Sequence, residues 1–186
     1  MVRYGVDTDH WEEGPDRCSQ TLLHRALDES NQTAASFLIR SGCDVNSRRR
    51  PATVGGEDDG SSPLHMCATW GLVDVAATLL EHGADINPRD VEGKTPLHTA
   101  IEQHHGPIVA MLLQQSALDL YAVDRTGRSP FAAALAVKNN KAARAVLDRD
   151  PSVAEQVQFN SIQLSYFFFL ILTFKNPKNC PQLPKL

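Results

Sequence analysis

The chain has 186 residues, with 22 acidic side chains against 18 basic ones, a net charge of −4 and 42 % hydrophobic residues. That balance excludes the basic stripe of a nucleic-acid binder. Four cysteines, Cys18, Cys43, Cys67 and Cys180, lack metal-ligand spacing, and no signal-peptide pattern precedes the first motif, so a reducing cytoplasm is the expected compartment.

One motif organises the chain. Thr95-Pro96-Leu97-His98-Thr99-Ala100 recurs in altered form as Thr21-Leu22-Leu23-His24-Arg25-Ala26, Ser62-Pro63-Leu64-His65-Met66-Cys67 and Ser129-Pro130-Phe131-Ala132-Ala133-Ala134. The later steps are 33 and 34 residues, a period that implies stacked helical hairpins rather than one globular core.

In chain order, residues 1–15 come first. Gly5-Val6-Asp7-Thr8-Asp9 reads as the closing arm of a preceding unit whose helices are absent, so the chain is expected to begin inside the array. Residues 16–46 form a unit in which Leu22 replaces the proline and Ser30 the mid-unit glycine. Residues 47–61, with Arg48 to Arg50, Pro51, Gly55-Gly56 and Glu57-Asp58-Asp59, lengthen the first step to 41 residues and read as a flexible, solvated insert.

The unit at 62–89 keeps the pattern most fully. Ser62 caps a helix with Pro63 in its first turn, Leu64 to Trp70 continue it, and Gly71 ends it through a left-handed conformation. Val73 to Glu81 form a second helix with Val75, Ala76, Leu79 and Leu80 at helical spacing, stopped by His82-Gly83. Neither helix is long enough to be stable alone, so packing between units must hold them. Ala84-Asp85-Ile86-Asn87 then leads to the turn Asp90-Val91-Glu92-Gly93. The unit at 90–123 has His104 in place of the glycine and one extra residue around Leu118. The degenerate unit at 124–157 has Ala132 for histidine and Lys138 for glycine, so its helices are the least defined.

Residues 158–186 abandon the pattern. Tyr166 to Phe174 is apolar, but even counted from Ile162 the run has 13 residues, short of the ~17–25 of a spanning helix. The segment reads as an unstructured, non-native tail, such as translation past a missed splice site. It would leave the last unit without its neighbour and invite aggregation.

Asp-x-x-Gly-x-Thr-Pro-Leu-His, two helices, then Gly-Ala-Asp-x-Asn resembles the ankyrin repeat. The resemblance implies an all-α solenoid of about four repeats that binds proteins. It also implies that His24, His65 and His98 hydrogen-bond neighbouring turns, and that Cys43 and Cys67, at positions where the repeat normally has alanine, are buried thiols. His104-His105 lacks a matching ligand spacing for a metal. No nucleophile, paired-carboxylate or phosphate-cradling motif appears, so neither catalysis nor a cofactor is expected. In such arrays the turn tips and the outer side of each first helix form a concave face. That implies a protein-binding surface of Asp28, Glu29, Trp70, Glu102 and Gln103, with Arg89, Glu92, Lys94, Arg125 and Arg128 at the turns. Trp70, before Gly71 and rimmed by charge, is the expected hot spot.

Longer stretches are more specific. Phe37 to Ser47 followed by the Gly/acid-rich insert, Trp70-Gly71-Leu72, His105-Gly106, Val137-Lys138-Asn139-Asn140-Lys141 and Ala154-Glu155-Gln156-Val157 resemble the ankyrin array of the rabankyrin family. The likeness runs from Arg3 to Val157. That family combines a BTB domain, ankyrin repeats and a zinc-binding FYVE finger for phosphatidylinositol 3-phosphate, and serves an early-endosomal Rab GTPase in endocytosis and macropinocytosis. The resemblance implies a fragment of a Rab-effector scaffold, cytoplasmic and peripheral on early endosomes, without membrane insertion. No FYVE basic motif or paired zinc cysteines occur here, so phosphoinositide binding would need a FYVE domain elsewhere in the full-length protein. The alternatives are an unrelated ankyrin adaptor or regulatory subunit, or the ankyrin portion of a membrane acyltransferase.

Overall fold

Four helical hairpins stack in register in the computed structural model, which describes residues 9, 11–13, 18–51 and 60–156. The first helices are α1 (Leu22–Asp28), α3 (Pro63–Trp70), α5 (Pro96–Glu102) and α7 (Pro130–Ala136); their partners are α2 (Gln32–Arg40), α4 (Val73–Glu81), α6 (Gly106–Leu113) and α8 (Asn140–Arg149). Each first helix packs on the next first helix and each second helix on the next second helix, giving two layers, and a 3-10 turn (Pro151–Gln156) follows α8. Strands β1 (Trp11–Glu13), β2 (Cys18–Thr21) and β3 (Arg50–Pro51) form a small antiparallel sheet with β2 central, pairing Trp11 with Thr21 and Ser19 with Arg50.

The repeated motif does the same local work in each unit. Thr21, Ser62, Thr95 and Ser129 are the N-caps of the first helices, and proline occupies the first turn in the last three. His24, His65 and His98 complete a capping box, each Nδ1 receiving the N-cap N–H at 3.2, 3.3 and 3.2 Å. The far nitrogens of two of these rings reach the next unit: His65 Nε2 lies 2.9 Å from the Lys94 carbonyl and His98 Nε2 3.1 Å from that of Arg128. A carbonyl only accepts, so Nε2 carries the proton and each ring is neutral. His65 and His98 therefore join units, as the ankyrin resemblance implies.

A second ladder runs along the closing arms. Asn46 Nδ2 donates to the Gly83 carbonyl (3.2 Å) while its Oδ1 accepts from Asp85 N–H (2.8 Å). Asn87 repeats this one unit later with the Ala117 carbonyl (2.8 Å) and Asp119 N–H (2.9 Å). Asp9 Oδ1 accepts from Asp44 N–H at 2.8 Å, the acceptor half of the same clasp. In the third unit Tyr121 takes the asparagine's place, and its hydroxyl donates instead to Asp150 Oδ2 at 2.6 Å.

The turn between the two helices of a hairpin is left-handed in every unit, yet only the second unit spends a glycine there. Ser30 (φ 52), His104 (φ 59) and Lys138 (φ 56) adopt the same conformation as Gly71 (φ 73). Gly71 is required for a further reason: a Cβ there would lie 2.9 Å from His105 Nδ1. The degenerate fourth unit still forms both helices, because Phe131, Val146 and Leu147 are buried against the rest of the array. The core continues through Leu23, Leu64 and Leu97 on the first helices and Ile39, Leu79 and Leu112 on the second.

The described ends of the 47–61 insert depart from the expectation of a solvated loop. Arg50–Pro51 pairs with β2, Arg49 N–H donates to the Ser61 carbonyl at 3.1 Å, and the Arg49 side chain is buried. A guanidinium tolerates burial when a carboxylate faces it, and Asp28 does so at 3.3 Å. The Phe-rich run from Tyr166 to Phe174 lies outside the described residues. No helix among the described residues is long and apolar enough to cross a membrane.

Candidate protein-binding surface

The last turns of α1, α3 and α5 carry Asp28 and Glu29, Thr69 and Trp70, and Glu102 and Gln103 at equivalent positions, so packing of these helices sets the six residues side by side. Trp70 is 50 % exposed, a large apolar area left in water on a structured helix. Its surroundings are fixed from behind: Thr69 Oγ1 donates to the His65 carbonyl (3.0 Å), and the Thr69 carbonyl faces His105 Nε2 at 3.0 Å. His105 thus serves as an inter-unit strut. Asn139, its counterpart in the fourth unit, also reaches back to the preceding unit, donating to the Ile101 carbonyl at 2.9 Å, one residue before the equivalent of Thr69.

The charges around the indole divide into bound and open. Asp28 is held by Arg49, whereas Glu29 is exposed and paired with Arg25, one helical turn away at 3.1 Å. Glu102 joins two turns: Lys94 Nζ is 2.8 Å from its Oε2, and Arg128 lies 3.8 Å from Oε1. Lys94 also pairs with Glu92 at 2.7 Å. Burial works against the Lys94 charge, but the Glu102 and Glu92 carboxylates raise its ammonium above the ordinary value; the Lys94 hydrogen bond in turn holds the Glu92 carboxyl low.

Asp90 and Asp124 shape the turns. Asp90 Oδ1 accepts from Glu92 and Lys94 N–H at 2.9 and 2.8 Å; Asp124 Oδ1 accepts from Thr126 and Arg128 N–H, and its Oδ2 receives the Arg128 guanidinium. Burial alone would raise the Asp124 carboxyl, yet these bonds from Thr126 and Arg128 hold it below its ordinary range. The turns stack through Arg125 N–H, which donates to the Glu92 carbonyl at 2.8 Å.

The expected surface is therefore partly assembled. Glu92, Lys94, Glu102 and Arg128 form one network beside Gln103, with Trp70 on the neighbouring helix. Arg89 and Arg125 stand on the exposed turn edge, where Arg89 donates to the Val123 carbonyl at 2.8 Å. Arg48 makes the same kind of bond to the Arg89 carbonyl at 2.7 Å. Sequence reasoning missed Arg48, Arg49 and His105 as organising residues. For Arg48 the signal was available, because it and Arg89 stand two residues after Asn46 and Asn87.

Cys43 and Cys67 are free and buried; burial raises the Cys43 thiol to about 11 and the Cys67 thiol higher still. Among the described residues no group of three or more His, Cys, Asp or Glu is placed to hold a metal.

A family model of ankyrin repeats in three copies matches residues 1–90, and one of ankyrin repeats in many copies matches residues 79–134. The chain belongs to the ankyrin-repeat family. It is 52 % identical to Rabankyrin-5 of Mus musculus over 160 residues, 84 % of this chain, and 51 % identical to Rabankyrin-5 of Homo sapiens over 157 residues, 82 % of this chain. It is also 33 % identical over 113 residues to the neurogenic locus Notch protein of Drosophila melanogaster, 60 % of this chain and 4 % of that protein. The chain spans only 14 % and 13 % of the two Rabankyrin-5 proteins. These matches agree with a fragment of the Rabankyrin-5 ankyrin array, and ankyrin repeats mediate binding to protein partners.

Proposed function

We propose that this chain is a non-catalytic scaffold segment of an endosomal adaptor, engaging a protein partner through the concave face centred on Trp70. The observation that carries the reading is the half-exposed indole on a helix whose backbone is braced from behind. An apolar anchor held rigid before binding loses little entropy on association, which is the property of an interface hot spot. Glu29, Gln103 and the Lys94, Glu102 and Arg128 network form the polar rim, with Arg89, Glu92 and Arg125 at the turns; Asp28 acts through Arg49 rather than by direct contact.

The relationship to Rabankyrin-5 supports an early-endosomal Rab GTPase as partner, and a cytoplasmic protein peripheral on early endosomes. Phosphoinositide recognition belongs, in this reading, to a FYVE finger elsewhere in the longer protein. Calorimetric titration of the chain with a purified early-endosomal Rab GTPase, loaded with a non-hydrolysable GTP analogue or with GDP, tests the assignment. Saturable binding that favours the GTP-like form is expected. Absence of heat with either form would remove the Rab assignment.

A further inference from the structure

We propose that the outer face of the first hairpin, formed by α1 and α2, pairs with the same face of a second copy of this chain across a two-fold axis. A groove of about 340 Å³ runs along that face, lined by Leu22, Arg25, Glu29, Ala34, Phe37 and Leu38, among others. Phe37 is 69 % exposed, the most exposed large apolar side chain among the described residues. Register along the array shows what is missing there. Ala34 and Leu38 stand where later units carry Val75 and Leu79, Ile108 and Leu112, and Ala142 and Val146. Those six are at most 4 % exposed, each second helix being covered by the one before it, whereas Ala34 and Leu38 are only partly buried. An uncovered apolar face on a structured hairpin is a contact surface.

The charges on the face select the occupant. Arg25 is exposed where the second and fourth units bury Met66 and Ala133, at 4 % and 0 %. A further hairpin of the ordinary apolar kind laid over α1 would bury that guanidinium and Glu29 away from water, at a cost that their mutual pairing does not repay. A second copy meets the charges with charges. Arg25 and Glu29 lie one turn apart on the same side of α1, 3.1 Å from each other, with side chains 56 % and 59 % exposed. A two-fold axis crossing α1 between them runs the two helices antiparallel and sets each Arg25 against the other copy's Glu29. The face is then self-complementary in charge, and apolar against apolar at Phe37 and Leu38. A guanidinium carries five donors and a carboxylate about four acceptor sites, so bonds within the helix and across the axis coexist.

The test is sedimentation equilibrium of the chain from about 10 µM to about 1 mM, with thermal melting of each variant at low concentration as the control for folding. A concentration-dependent dimer and no larger assembly is expected, because an isologous contact closes on itself. Phe37→Asp should raise the dissociation constant at least about tenfold without changing the melting temperature. Arg25→Glu and Glu29→Arg should each weaken the dimer about tenfold, since symmetry makes every reversal count twice. The chain carrying both exchanges should return to within about threefold of the parent. A chain that stays monomeric at about 1 mM leaves the face to a different partner and overturns the inference. So does a series of assemblies that grows with concentration, a dimer that survives Phe37→Asp, or a pair of reversals that the double exchange fails to rescue. Trp70→Ala should leave the dimer intact, which separates this face from the Rab-binding reading; loss of the dimer in that variant would make the Trp70 surface the contact instead.

Discussion

Replacing Asn87 by alanine should cost about 2 kcal/mol of stability, because that side chain is a two-bond clasp between consecutive units. Its Nδ2 donates to the Ala117 carbonyl at 2.8 Å and its Oδ1 accepts from Asp119 N–H at 2.9 Å. Each such bond contributes about 1 kcal/mol net once exchange with water is counted. Alanine removes both and leaves the two backbone groups to solvent. Aspartate at the same position keeps the acceptor and loses the donor, so Asn87→Asp should cost about half as much. The bond from Asp44 N–H to Asp9 Oδ1 shows that a carboxylate fits this geometry. Urea unfolding followed by circular dichroism would read the alanine change as a midpoint lowered by about 1 M, for a slope of ~2 kcal/mol/M. An alanine variant within about 0.5 kcal/mol of the parent, or an aspartate variant as costly as alanine, would refute the clasp.

Glycine substituted for Ser30, His104 or Lys138 should stabilise the array by about 0.5–1 kcal/mol each in urea melts, since each relieves a side chain at positive φ. Gly71→Ala should do the reverse, by about 2 kcal/mol or more, because strain at φ 73 adds to a clash with His105. Phe131→Ala should cost about 3–5 kcal/mol, with hydrogen exchange rising first in α7 and α8, if the fourth unit belongs to the common core. Burial lowers the His98 imidazole below its ordinary 6.5, against the opposing pull of the Arg128 carbonyl and nearby carboxylates. The unfolded chain then takes up the proton first on acidification. The His98 contribution is therefore complete above about pH 6.5 and is lost as pH falls towards the lower folded value. A His98→Gln variant should show a flatter stability profile between pH 7 and 5.

The fold was legible because each repeated residue performs a local task that composition alone betrays. A hydroxyl before proline caps a helix; that the histidine three residues on returns to the cap, and that Asn46 and Asn87 clasp the following arm, is seen only in the structure. The α4 bounds, Val73–Glu81, follow directly from the apolar spacing and the His82-Gly83 stop. Less legible was how the left-handed turns survive without glycine at Ser30, His104 and Lys138: packing of the flanking helices overrides the local preference. Among the surface residues, exposure of Trp70 follows from its place at the end of the first helix. The sequestering of Asp28 does not, because Arg49 reaches it from an insert with no counterpart in the other units. Nor does the division of Glu102 between Lys94 and Arg128, which depends on two turns brought together only by stacking.

The most direct test of the account is the affinity of Trp70→Ala for the Rab GTPase, measured by calorimetry beside the parent chain with thermal melting as the control for folding. The account predicts a loss of about 2 kcal/mol or more, roughly thirtyfold in affinity, with an unchanged melting temperature. Equal affinity of a folded Trp70→Ala chain would contradict it.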